Sequence, residues 1–232
     1  MSKLVRRFAL LALCVTVSGC DFCGLAPIEA ETIDFVTVVP QGFVSSYILD
    51  VGGGKVVLID AGSNTDATEI GDALEAKGKS LSDVEAVVLT HGHTDHTAGL
   101  ETLKGIPVWA HPGVTEQLGE EVGAVLAGEL AEGTPVSFGE RSFSVYHMPG
   151  HSPGSVSVLV DGMLFFGDNA ASTDQGGVRL VPENFTDDVE RNRADLRELV
   201  GKLEGVEVDT MFFSHSGPLQ GKGPLEEYVA GL

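Results

Sequence analysis

Cysteine is scarce in this chain and poorly placed for chemistry. The three present, Cys14, Cys20 and Cys23, all fall at the start of 232 residues. That number and placement exclude a disulfide framework. They leave no thiol among the histidines, which excludes a thiolate zinc site and a cysteine nucleophile. Basic residues are few as well: 14 Lys and Arg stand against 34 Asp and Glu, a formal charge of −20. A surface of that sign repels nucleic acid and anionic lipid head groups. The acidity is read as solubility or a salty habitat. Long apolar runs are missing too. Phe8 to Val17 is almost wholly apolar, but it falls short of the about 20 residues a membrane-spanning helix needs. No internal repeat and no domain linker stand out.

What the sequence does have is Thr90-His91-Gly92-His93-Thr94-Asp95-His96. It follows Val84 to Leu89, a short β-branched run that reads as a buried strand. Leu100 and Leu103 then repeat at helical spacing. The segment is thus a turn from a strand end into a helix start, where ligands can converge. Neutral imidazole and carboxylate are ligands that zinc and iron take readily. His91 and His93, two apart on extended backbone, can reach one metal. Asp95 and His96, further round the turn, can reach a second.

The amino terminus has a basic start, an apolar stretch and then Val17-Ser18-Gly19-Cys20. This describes a secretory signal peptide, and its end resembles the lipobox of bacterial lipoproteins. The resemblance implies cleavage before Cys20, lipid on its sulfur, and an exported protein anchored to a bacterial membrane. Residues 1–19 are the expected signal peptide, 20–31 a tether and 32–232 one domain. Loss of Lys3, Arg6 and Arg7 leaves 11 basic against 34 acidic residues, or −23.

From Thr32 the pattern predicts strands over Ile33 to Val39, Phe43 to Leu49 and Lys55 to Ile59, with Gly52-Gly53-Gly54 as a hairpin turn. Asn64 or Thr65 is expected to cap a helix through Lys77. Pro107 to Ala110 reads as a strand, and Val114 to Leu130 as one or two short helices. Strands follow over Pro135 to Phe138, Phe143 to His147, Ser155 to Val160 and Met163 to Phe166, with Asp161-Gly162 as a tight turn. Thr186 is expected to cap a helix from Asp187 to Leu203; that use is preferred to glycosylation at Asn184. Thr210 to Phe213 is the last expected strand and Leu225 to Val229 a closing helix. Two sheets packed face to face with helices outside satisfy this order.

More ligand-type residues sit at strand ends: His151 in Pro149-Gly150-His151-Ser152-Pro153-Gly154, Asp168 in Phe165-Phe166-Gly167-Asp168, and His215 in Phe212-Phe213-Ser214-His215. With the first cluster, these motifs resemble the metallo-β-lactamase fold superfamily from about Thr32 to Tyr228. The resemblance implies an α/β fold, a four-layer αβ/βα sandwich with metals at one edge. By motif, His91, His93 and His151 match the ligands of one metal, and Asp95, His96 and His215 those of a second. Asp168 matches the carboxylate that bridges both, and Asp60 a position that orients the metal turn. His111 and His147 match no ligand position and are read as rim residues.

The implied activity is that of a dizinc hydrolase, in which metal-bound hydroxide attacks an ester, thioester, lactone or amide, with Asp95 or Asp168 relaying the proton. Iron or manganese are alternative metals. The ligand set is that of the glyoxalase II group, although only 17 residues follow His215, short of the helical segment with which that group binds glutathione. True β-lactamases of the fold usually lack the bridging carboxylate, and lactonases carry a Tyr where this chain has Ala171. Persulfide dioxygenases share the fold and use one iron held by two His and one Asp; His91, His151 and Asp168 would serve. A non-catalytic, metal-binding lipoprotein is the third class.

Overall fold

A computed structural model describes residues 23–115, 117–118 and 126–232. The expected signal peptide and Cys20 lie outside the described residues. The first strands are β1 (Thr32–Ile33), β2 (Val36–Gln41), β3 (Val44–Gly52), β4 (Lys55–Ile59) and β5 (Val84–Val88), followed by β6 (Val108–Ala110) and β7 (Leu126–Glu129). They form one sheet in chain order, antiparallel from β1 to β4 and parallel from β4 to β7. β4 and β5 are apolar on both faces, as strands covered on two sides must be, and nearly all their residues are buried.

The second sheet holds β8 (Val136–Phe138), β9 (Arg141–His147), β10 (Val156–Val160), β11 (Met163–Phe165), β14 (Thr210–Phe213) and β15 (Ser216–Gln220), in the order β15-β14-β11-β10-β9-β8. The pair β12 (Ala171–Ser172) and β13 (Val178–Arg179) stands apart. Between the large sheets lies one apolar layer that includes Leu49, Ile59, Val88, Phe143, Val158, Phe165 and Phe212. A second apolar cluster packs α1 (Thr68–Ala76) on the outer face of the first sheet, through Ile70 and Leu74. A third packs α3 (Val189–Lys202) and α4 (Gly223–Ala230) on the second, through Leu196, Leu199 and Leu225. The result is the expected four-layer sandwich.

Several local expectations are corrected. The region from Val114 to Leu130, expected to hold one or two short helices, is helical at Thr115, Gln117 and Leu118, lies outside the described residues over 119–125, and ends in β7. Its Gly128 offers no β propensity, but a Cβ there would meet the Trp109 ring at 2.3 Å, so the ring takes the space a side chain would fill. The strand β15 was not expected, since Gly217 and Pro218 usually mark a break. It lies at the sheet edge, where a proline without an N–H is tolerated. Helix α1 starts at Thr68, after Ala67 in a left-handed conformation, and no side chain caps it. Helix α3 is capped by Asp188, which accepts from the Arg191 N–H at 2.9 Å, and not by Thr186. The helix expected through Leu100 and Leu103 is a 3-10 turn, Ala98–Glu101, entered from the single α-turn α2 (Thr94–Thr97). Part of the expected tether lies on the domain: Leu25 bridges to Thr173, and the Ala26 carbonyl accepts from the Gly217 N–H at 3.1 Å.

Candidate metal centre

The ends of β5, β9, β11 and β14 share one edge of the sandwich, and each delivers ligand-type side chains there. His91 and His93 follow β5, and α2 adds Asp95 and His96. His151 comes from the β9–β10 loop, Asp168 from the segment after β11, and His215 from the β14–β15 turn. The structure brings all seven together in two groups: His91, His93, His151 and Asp168, and then Asp95, His96 and His215.

In the first group His93 Nδ1 lies 3.1 Å from both His91 Nε2 and His151 Nε2. Asp168 Oδ2 is 3.9 Å from His91 Nε2 and 3.8 Å from His151 Nε2. In the second, Asp95 Oδ2 is 3.3 Å from His215 Nε2 and 3.7 Å from His96 Nε2. Donors bound at zinc distances in a tetrahedron stand about 3.3–3.6 Å apart, so these spacings suit a shared cation. Asp168 also faces the second group, with Oδ2 3.1 Å from His215 Nε2 and Oδ1 3.3 Å from His96 Nε2. The buried atoms His96 Nε2 and Asp168 Oδ1 have no hydrogen-bond partner. Unpaired buried polar atoms are costly, and a divalent cation would satisfy both. The residues therefore fit the metals implied by their types.

Hydrogen bonds behind the cluster fix which ring nitrogen faces inward. Asp60 Oδ1 accepts from the Thr90 N–H at 2.7 Å, and Oδ2 accepts from the Thr90 hydroxyl at 2.8 Å. With its proton spent on Asp60, the Thr90 oxygen is left to accept from His91 Nδ1, 3.1 Å away. Asp60 Oδ2 also takes His96 Nδ1–H at 2.9 Å, and the Phe43 carbonyl takes His215 Nδ1–H at 2.8 Å. Each of these three imidazoles thus presents the Nε2 lone pair to the site. Asp60 does this from a left-handed backbone, φ 60°. Such a conformation costs a non-glycine residue about 1–3 kcal/mol and persists where surrounding contacts hold it. Gly167 (φ 57°) is required for a related reason, because a Cβ there would meet the Thr90 side chain at 2.7 Å.

Charge without metal follows from burial and neighbours. Burial disfavours a protonated His96, but Asp168 and Asp60 outweigh it and raise its pKa well above the usual value. For His215 burial is likewise outweighed by Asp168 and Asp95, and its pKa is pushed up to about 10. Burial would raise Asp168, but His215 and His96 hold it well below the carboxylate range. Burial prevails at His91, well below normal, and at His151, lowered to about 4.

A metallo-beta-lactamase superfamily model matches residues 39–215. The chain belongs to this superfamily. A hydroxyacylglutathione hydrolase of Chromohalobacter salexigens is 30% identical over 179 residues, covering 71% of this chain and 62% of that protein. One of Methylobacillus flagellatus is 34% identical over 116 residues, covering 50% and 43%. The chain spans about half the length of most hydroxyacylglutathione hydrolases it matches. Among solved structures, a metallo-beta-lactamase from Pontibacter korlensis superposes with a TM-score of 0.70 at 19% identity, over 88% of this chain and 98% of that one. At that identity the likeness establishes the superfamily fold alone.

Sequence reasoning missed some supporting residues. Asp195, buried in α3, accepts from the Gly150 N–H at 2.8 Å and from Arg191 Nε at 2.7 Å, and so holds the loop that carries His151. Gly150 packs so close to α3 that a Cβ would meet the Asn192 nitrogen at 2.1 Å. An acid inside an amphipathic helix gives no signal of such a role. Thr90 stood at the head of the cluster, and a β-branched hydroxyl at a strand end was the available hint. His111 and His147 stay out of the cluster. Their rings stack on each other at 3.9 Å, and His147 Nε2 lies 3.0 Å from the Pro153 carbonyl.

Proposed function

We propose that this protein is a dinuclear-metal hydrolase of acyl compounds, most simply thioesters, esters or lactones, with zinc as the expected metal. One observation carries the reading: the Asp168 carboxylate lies against both ligand groups at once. Two divalent cations there would supply Lewis-acid polarisation of a carbonyl and water ionised near neutral pH. His91, His93 and His151 would hold one, Asp95, His96 and His215 the other, and Asp168 both.

The two carboxylates divide the remaining work. The Asp95 side chain is 27% exposed and lines the cleft, so it can take a proton from attacking water and pass it to solvent. Asp168, at 7%, is better suited to holding than to exchange. The glyoxalase-II-like relatives support a thioester among the substrate classes. A mononuclear iron dioxygenase would need only His91, His151 and Asp168 and leaves the second group without a task.

The test is elemental analysis of the purified chain with a thioester, ester, lactone and β-lactam panel. About two zinc per chain and acyl turnover support the proposal. Iron with oxygen uptake on a persulfide would replace it with the dioxygenase. Export and lipid attachment at Cys20 are proposed from the sequence motif. Mass spectrometry of the mature amino-terminal peptide should find the acylated Cys20, and an intact Met1 terminus would refute it.

A further inference from the structure

Beside the ligand cluster lies a cleft of about 680 Å³, within the range of small-molecule sites. Its floor is His93, Asp95, Asp168 and His215, and its wall includes Phe43, Val181, Pro182 and Phe185. Among the described residues the large hydrophobics classed as exposed are Phe43, Leu81, Phe185 and Leu232, and the two aromatic ones both line this cleft. Phe43 is 55% exposed and Phe185 50%. Aromatic rings about half exposed at a concave site present apolar surface to a ligand.

Both rings are tied to the reacting centre by backbone. The Phe43 carbonyl accepts from His215 Nδ1–H at 2.8 Å, and its ring stacks on that imidazole at 5.7 Å with planes 3° apart. Phe185 ends the 3-10 turn Glu183–Phe185. The next residues are fastened to the His151 loop: Asp187 N–H donates to the His151 carbonyl at 3.0 Å, and Asp188 N–H to the Gly150 carbonyl at 2.9 Å. The apolar wall therefore keeps a fixed distance from the ligands. Charge points the same way. Away from the ligand-type residues the described lining holds Asp187 and no Lys or Arg, the side chains by which proteins hold carboxylates.

We propose that this cleft selects acyl substrates that are uncharged away from the reacting carbonyl and carry an apolar chain, with Phe43 and Phe185 as the specificity-determining side chains. This rests on the acyl-hydrolase reading above. A leaving group with several carboxylates, such as glutathione, finds no Lys or Arg among the described lining residues to hold it away from the reacting centre.

The test uses the zinc-loaded full chain and two sets of thioesters with acetyl, butyryl and hexanoyl groups, one on neutral N-acetylcysteamine and one on glutathione. Each methylene buried is worth up to about fourfold, so kcat/KM should rise at least about tenfold from acetyl to hexanoyl in the neutral set. The neutral thiol should exceed glutathione by about tenfold or more. Phe185→Ala should flatten the chain-length series, lowering the hexanoyl-to-acetyl ratio of kcat/KM by about fourfold or more. In parallel, 2-nonanone, a neutral ketone that cannot be hydrolysed, is titrated into the metal-free chain by ligand-observed NMR. It should bind, and Phe185→Ala or Phe43→Ala should weaken it by about fivefold or more. A flat series, or a preference for glutathione, overturns this selectivity and leaves the hydrolase reading intact. No turnover with ketone binding that needs both rings overturns the hydrolase reading and keeps the apolar site. No turnover and no binding overturns both.

Discussion

The floor and the wall of the cleft are built on opposite physical terms. The floor is polar. Behind His93, Asp95, Asp168 and His215 stand His91, His96, His151 and Asp60, all buried, and hydrogen bonds orient three of the imidazoles. The wall is apolar and half open, with Phe43 and Phe185 offering surface to solvent. A buried polar cluster with unpaired atoms is costly until something completes it, so the floor specifies a reaction centre. An open apolar wall fixed beside it specifies what reaches that centre. Changes to the floor should therefore abolish chemistry, and changes to the wall should re-rank substrates.

The largest effect is expected at the residue shared by both ligand groups. Asp168→Asn should lower turnover on the order of a thousandfold, and zinc content should fall to one per chain or fewer by elemental analysis. If two zinc remain, Asp168 is not shared between them. Behind the ligands, Asp60→Ala removes the acceptor for Thr90 and His96. It should weaken zinc binding roughly ten- to hundredfold in a chelator competition, while circular dichroism shows the fold retained.

Protons give an independent reading of the floor. His215, with a pKa of about 10, carries its proton at pH 8 in the metal-free protein, and Asp168 and Asp60 shift His96 in the same direction. Zinc must displace protons held at these ring nitrogens, so zinc addition in weak buffer at pH 8 should release about one proton or more per chain. The sign for stability follows. The folded pKa of His215 lies above the unfolded value of about 6.5, so its contribution is complete below that pH and is lost as pH rises through about 10. The Tm of the metal-free chain should show this loss, and zinc should remove the dependence.

A smaller effect belongs to Asp195. Asp195→Ala leaves the Gly150 N–H without its acceptor, at a cost of about 1–3 kcal/mol. Thermal unfolding should show a Tm several degrees lower. The smallest effect belongs to Phe185→Ala, which should re-rank chain lengths without abolishing turnover.

Floor and wall also differ in how far the sequence revealed them. The floor was legible because imidazole and carboxylate at strand ends are rare outside metal sites, and four of the seven ligand-type residues are packed between His91 and His96. The central strands were legible because burial on both faces leaves unbroken apolar runs such as Val84 to Leu89. The strand β7 was not, because its Gly128 derives its place from Trp109, far away in sequence. Strand β15 was hidden by an edge position that tolerates Pro218. The wall was invisible, since Phe43 reads as the start of a strand and Phe185 as a residue ahead of a helix until the fold sets them beside His215 and His151. Asp195 was hidden likewise, its partner Gly150 being 45 residues away.

The central claim is that the seven ligand-type side chains form one centre for two cations sharing Asp168. It is tested most directly by titrating zinc into the metal-free chain in a calorimeter. The account predicts saturation at two zinc per chain, falling to one or none in Asp168→Asn. Saturation at one zinc in the parent chain, unchanged by that substitution, would contradict it.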